Sequence, residues 1–133
     1  MKLKAFRIKN FRAYKNTGWV TISDFTGFVG KNDVGKSSVL DALDLFFDPA
    51  RRLDEKDLRQ GASKNATVEI SCAFGNLPDT VILDDAEETA FQSEYLVNDN
   101  PDELIITKSS LPGKRPRLQS IAAIHRIFIV QIC

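Results

Sequence analysis

The chain has two cysteines, one histidine and one tryptophan in 133 residues. Cys72 and Cys133 lie far apart and show no metal-ligand spacing. A disulfide framework is therefore excluded, and both are read as reduced thiols of a cytoplasmic protein. His125 alone cannot build a histidine metal centre. Net charge is also missing, because 18 basic and 18 acidic side chains cancel. No apolar run approaches the roughly 18 to 20 residues a membrane helix needs. The opening MKLKAFRIKNFR is charged throughout, unlike a secretory signal, so no membrane partner is expected. With 43% hydrophobic and 27% charged residues, the composition is that of a globular domain, which excludes a disordered tail or a collagen-like repeat.

The zero net charge hides segregation. Residues 1–40 carry eight basic side chains against two acidic ones, and residues 71–106 carry nine acids and no base. Residues 107–133 carry five bases and no acid. Basic blocks of this kind mark either polyanion contacts or the solvated faces of strands.

Along the chain, residues 1–11 alternate, with Phe6 and Ile8 in one register and Lys4, Arg7 and Lys9 between. That period predicts a half-buried strand. The polar stretch 10–17 reads as a turn closed by Gly18. Residues 19–23 (WVTIS) predict a second strand, and the short apolar run 25–29 a third, stopped by Gly30. From Gly35 the period changes. Val39, Leu40, Ala42, Leu43, Phe46 and Phe47 recur at helical spacing, with Asp41 and Asp44 on the other face. Asp48-Pro49 ends that helix. Residues 51–64 read as a loop or short helix, and residues 66–74 as a strand with Val68, Ile70, Cys72 and Phe74 on one face. Residues 94–97 and 103–107 are expected to pair as a hairpin across the turn 98–102. Residues 110–117 read as a loop, and the apolar end 121–133 fits helix or strand.

Residues 30–37 carry the chemistry. They read Gly-Lys-Asn-Asp-Val-Gly-Lys-Ser and match G-x-x-x-x-G-K-[ST], a phosphate-binding loop. Gly30 and Gly35 are expected to let the backbone wrap phosphate oxygens where a Cβ would collide. The successive amides of Lys31, Asn32, Asp33 and Val34 form an anion nest. Lys36 places an ammonium on the β- and γ-phosphates, and Ser37 offers a hydroxyl to Mg²⁺. The helix that starts here directs its positive end at the phosphates. The motif sits between an expected strand and an amphipathic helix, the setting it requires.

Two strand-like segments precede the one that feeds the loop, unlike the small nucleotide kinases and GTPases. The stretches LKAFRIKNFRAYKN and FTGFVGKNDVGKSSVLDALDLFF resemble the N-terminus of RecF/SMC-like ABC-type ATPases. Within that group the chain most resembles the OLD-family (overcoming lysogenisation defect) ATP-dependent endonucleases. The resemblance implies an α/β P-loop NTPase fold of ABC type. Residues 1–48 would hold the strands, loop and helix, and residues 66–108 an antiparallel β-subdomain, with 109–133 unassigned. It implies that Gly30, Asn32, Gly35, Lys36, Ser37 and Ser38 hold ATP and Mg²⁺, and that Arg12, beside Asn10 and Phe11, lies near the base or ribose. For Arg12, a surface charge after a strand is the alternative. DNA is the implied partner of the full assembly, with phage defence as the implied setting.

The sequence lacks parts that ATP hydrolysis in this family uses, an LSGG-like signature and a switch histidine, and it is too short to hold the Toprim domain that the nuclease members carry. One candidate for the acidic motif is Val81-Ile82-Leu83-Asp84-Asp85, where Asp84 would meet Mg²⁺ and Asp85 the attacking water. The alternative is that the acids 84–88 open a solvated helix. The chain is therefore expected to be an incomplete ATP-binding portion, with its site completed by a C-terminal lobe or by another chain, including a second copy. An exposed sheet edge and poor solubility alone are further expectations. The competing readings are a RecF/SMC-like repair ATPase, a non-catalytic remnant or regulatory module that contacts DNA, and a small-molecule kinase using Asp84 and Asp85.

Overall fold

The structure is a computed structural model of the chain, and it describes residues 1–31, 35–83, 87–90 and 103–120. Eight strands and one α-helix follow in the order β1 (Lys2–Phe11), β2 (Tyr14–Asn16), β3 (Val20–Thr21), α1 (Lys36–Phe47), β4 (Val68–Gly75), β5 (Thr80–Leu83), β6 (Glu87–Ala90), β7 (Leu104–Ser110) and β8 (Arg117–Ser120). A 3-10 turn, Glu55–Asp57, lies between α1 and β4.

An antiparallel sheet organises the chain in the order β2-β1-β4-β7-β8, with β3 sharing the outer edge of β1. β1 and β4 pair along nearly their whole length, from Lys2↔Gly75 to Lys9↔Glu69, with an irregularity at Lys4. β4 then pairs with β7 from Val68↔Ser110 to Phe74↔Leu104. The alternation of β1 and β4 places Phe6, Ile8, Val68, Ile70, Cys72 and Phe74 in one buried cluster with Val39, Ala42 and Leu45 of α1. A 12-residue helix is marginal alone. Burying a large apolar side chain contributes about 1.5–3 kcal/mol, so the contact with the sheet, not helix propensity, holds α1 in place.

Three expectations need correction. The apolar run 25–29 is not a strand. Phe25 is 90% and Val29 98% exposed, and the segment makes no ladder with any described strand. An apolar run becomes a strand only when a neighbour takes its backbone groups; Phe28, still 37% exposed, meets Phe6 edge-on at 6.2 Å. The polar stretch 10–17 is not all turn, because Tyr14–Asn16 pairs back onto β1 at Lys9↔Asn16 and Phe11↔Tyr14. Residues 87–90 form no helix start. They pair as β6 with β5 in a separate two-stranded hairpin.

The strand expected at 103–107 exists as β7, and its partners are β4 and β8. Its expected partner 94–97, like Asp84, Asp85 and the apolar end 121–133, lies outside the described residues. The first strand and the β-subdomain, separated on the sequence, share one sheet. No helix among the described residues is long and apolar enough to cross a membrane.

Candidate functional site

Of the residues expected in the phosphate loop, Gly35, Lys36, Ser37 and Ser38 stand at the N-terminus of α1. Gly35 is the residue before the helix and adopts a left-handed conformation, φ 88°. Glycine suits it twice over. Other residues rarely adopt that φ, and a Cβ there would meet the Tyr14 hydroxyl at 3.1 Å and the Ala13 Cβ at 3.2 Å. The carbonyl of Gly35 accepts the first helical bond, from the Val39 amide at 3.2 Å. It also accepts from the Tyr14 hydroxyl at 3.0 Å.

The N-terminal end of the helix is otherwise uncommitted. No side chain caps it and its first turn holds no acid. Lys36 folds back over the loop, where its ammonium donates to the carbonyls of Gly30 and, at 2.8 Å, of Lys31. Ser37 is exposed and Ser38 is buried against the core. At Gly30 a Cβ would meet only the Lys36 side chain, at 4.0 Å. Asn32, Asp33 and Val34 lie outside the described residues.

Arg12 follows β1 and is left-handed, φ 45°. Its amide donates to the Asp57 carbonyl at 2.8 Å, and its guanidinium lies 5.1 Å over the Phe11 ring. That guanidinium is held by two carboxylates, Asp57 at 2.8 Å and Asp41 of α1. Burial alone would lower the Arg12 pKa, but the bonds to Asp57 and Asp41 raise it on balance. Asp41 also faces Arg51, which pairs with Asp44. An alternating row of charges, Asp57, Arg12, Asp41, Arg51 and Asp44, thus ties the end of β1 to one flank of α1. Arg12 is thus paired with a carboxylate on each side.

The opposite end of α1 holds a residue that sequence reading missed. Lys108 of β7 is 4% exposed. Its ammonium donates to the carbonyl of Leu45 at 2.6 Å and to that of Asp48 at 3.3 Å. A cation at that end suits both the orphan carbonyls and the negative end of the helix. Burial lowers its pKa, and Asp48 opposes that shift. The signal lay in the alternation of β7, where Leu104, Ile106 and Lys108 share the face that meets the helix. Asp57 had a signal too. Asp54 and Asp57 stand at capping-box spacing around their turn. Tyr14 had none.

An antiparallel sheet backed by a helix that starts at Gly-Lys-Ser-Ser defines the class: an ATPase-type domain with the fold of the SMC and ABC ATPases. The chain belongs to the AAA ATPase domain family, whose profile matches residues 1–129. Among solved structures it is similar to one from structural work on ATP-driven dimerization and DNA-stimulated activation of SMC ATPases. That match has a TM-score of 0.61 and 20% identity, covering 92% of this chain and 70% of the other. No curated protein matches the sequence.

Proposed function

We propose that this chain is the ATP-binding portion of an OLD-like ATPase that acts on DNA, with its nucleotide site completed by a further lobe or by another chain. The observation that carries this reading is the open N-terminus of α1. A helix that begins on a left-handed glycine, with neither cap nor acid in its first turn, leaves its first amides for an anion. The Lys36 ammonium rests on two loop carbonyls, partners it can exchange for phosphate oxygens. Ser37, exposed one residue on, supplies a hydroxyl for the metal. The residues present therefore fit Mg-ATP. Among the described residues no group of three His, Cys, Asp or Glu could hold a metal, and Asp84 and Asp85 lie outside them; the nucleotide's phosphates and the Ser37 hydroxyl would hold Mg²⁺. When bound, it supplies neutralisation of phosphate charge.

Completion from outside is supported by apolar side chains left in solvent on the segment that leads into the loop and on α1: Phe25, Val29 and Leu40 are 90%, 98% and 61% exposed, and Phe47, at the far end of α1, is 48% exposed. The DNA partner and the setting in phage defence rest on the resemblance of residues 1–47 to the OLD family. The fold shared with an SMC ATPase favours a second reading, a RecF/SMC-like repair ATPase. A coiled coil in place of a Toprim domain in the full protein would decide for it.

The test is equilibrium ATP binding with and without Mg²⁺ on the wild-type chain and Lys36→Ala, with a hydrolysis assay alongside. Binding without turnover is expected, lost in the variant while its circular dichroism is unchanged. Equal affinity in Lys36→Ala would remove the reading. Turnover by the isolated chain would show that the site needs no second lobe.

A further inference from the structure

The β1–β2 hairpin touches the start of α1 at the Gly35–Lys36 peptide. Tyr14 opens β2, opposite Phe11 of β1, and its side chain is half-buried against the core. Its hydroxyl donates to the Gly35 carbonyl at 3.0 Å. The ring and the Ala13 Cβ fill the space beside Gly35 so closely that a Cβ there would lie 3.1–3.2 Å from them. Gly35 at φ 88° is the most permissive residue at the junction, and its peptide is the one most able to rotate.

A peptide unit is planar and trans, so its C=O and N–H point in opposite directions. Fixing the carbonyl of Gly35 therefore fixes the direction of the Lys36 amide. That amide is the first of the helix's unpaired donors, part of the anion-binding end described above. The Val39 amide reaches the same carbonyl at a longer 3.2 Å, so the hydroxyl is the closer of its two partners.

We propose that Tyr14 is a positioning residue for the phosphate loop: its hydroxyl holds the Gly35–Lys36 peptide so that the Lys36 amide is directed at a nucleoside triphosphate before one arrives. This rests on the reading of the loop as an ATP site. Tyr14 need not touch the nucleotide. It removes from binding the cost of ordering that peptide.

The experiment compares Mg-ATP affinity by titration calorimetry for the full chain and three variants, each well below its melting temperature. Tyr14→Phe keeps the ring and deletes the hydroxyl. Thr17→Val removes another hydroxyl of the same hairpin, one that accepts from the Ile8 amide at 3.0 Å and does not reach the loop. Lys36→Ala reports on the site itself. Losing one neutral hydrogen bond predicts about fivefold weaker binding in Tyr14→Phe, with Thr17→Val at wild-type affinity. The Lys36 amide resonance should also move in ligand-free Tyr14→Phe and not in Thr17→Val. Wild-type affinity in Tyr14→Phe overturns the proposal. So does equal weakening in Tyr14→Phe and Thr17→Val in step with their melting temperatures, which is what a merely structural role would give. Failure of the wild type to bind, or undiminished binding by Lys36→Ala, overturns the ATP reading and this role with it.

Discussion

The two ends of α1 are built on opposite principles. At the C-terminal end, the chain supplies its own partner: Lys108 is buried and donates to carbonyls of the last turn. At the N-terminal end, no side chain caps the amides and the first turn of the helix holds no acid. What holds that end acts on the carbonyl side of Gly35 and on the flank, through Tyr14 and the Arg12–Asp41 pair. One end is thus closed by the fold, and the other is steadied from behind and left open in front. Stability and ligand binding are assigned to different ends of a single helix, so substitutions at the two ends should separate in their effects.

The largest expected effect is at the closed end. Lys108→Met leaves the carbonyls of Leu45, Phe46 and Asp48 without this donor and should destabilise the chain by about 2–3 kcal/mol. ATP affinity, measured well below the melting temperature, should stay at the wild-type level. Chemical denaturation and calorimetry check the two halves, and a loss of affinity beyond the loss of stability would break the comparison. Gly35→Ala at the open end should cost less stability, about 1–2 kcal/mol for φ 88° and the contacts with Tyr14. It should weaken ATP binding by more than tenfold, roughly the equivalent of 1.4 kcal/mol. Both halves can be read from the same two measurements.

The smallest effect sharpens the comparison at the middle of the helix. Cys72 lies beneath α1 in the core, and burial pushes its thiol up to about 12 from an ordinary 9.0. The stabilisation from keeping this thiol protonated is complete below pH 9 and is lost as pH rises toward 12. In a Cys133→Ser background, labelling of Cys72 near pH 8 should therefore proceed only through opening of the core. The rate should rise in Lys108→Met and scarcely change in Tyr14→Phe. Rapid labelling of the wild type would show that the helix leaves the sheet without unfolding.

What could be read from the sequence was local. The alternation of Val68, Ile70, Cys72 and Phe74 and the helical spacing of Val39, Ala42, Leu43 and Phe46 are written in neighbouring residues, and β4 and α1 follow them; Leu40 and Phe47, read on the same face, are instead exposed, and Leu45, which that reading left out, is buried. What could not be read depends on pairing across the chain. Residues 25–29 have the composition of a buried strand, yet composition cannot supply the neighbour that would make them one. Tyr14, Lys15 and Asn16 look like loop and become β2 because β1 offers an edge. Lys108 looks like a solvated lysine until the carbonyls of α1 are brought to it. At the site, Gly35, Lys36 and Ser37 announce themselves by spacing. The tyrosine 21 residues upstream does not, because its contact exists only after β2 has folded back.

The position of that tyrosine has a consequence for how the chain comes together in time. Strands β1 and β2 are adjacent in sequence, and hairpins of this kind form on a scale of about 1–10 μs. The main partner of β1 is β4, whose Glu69 must be brought back to Lys9, so the sheet closes only after a long loop is drawn in. The surface that will orient the glycine is thus local and forms quickly, and the loop enters a setting its own N-terminus has begun to shape before β4 closes the sheet.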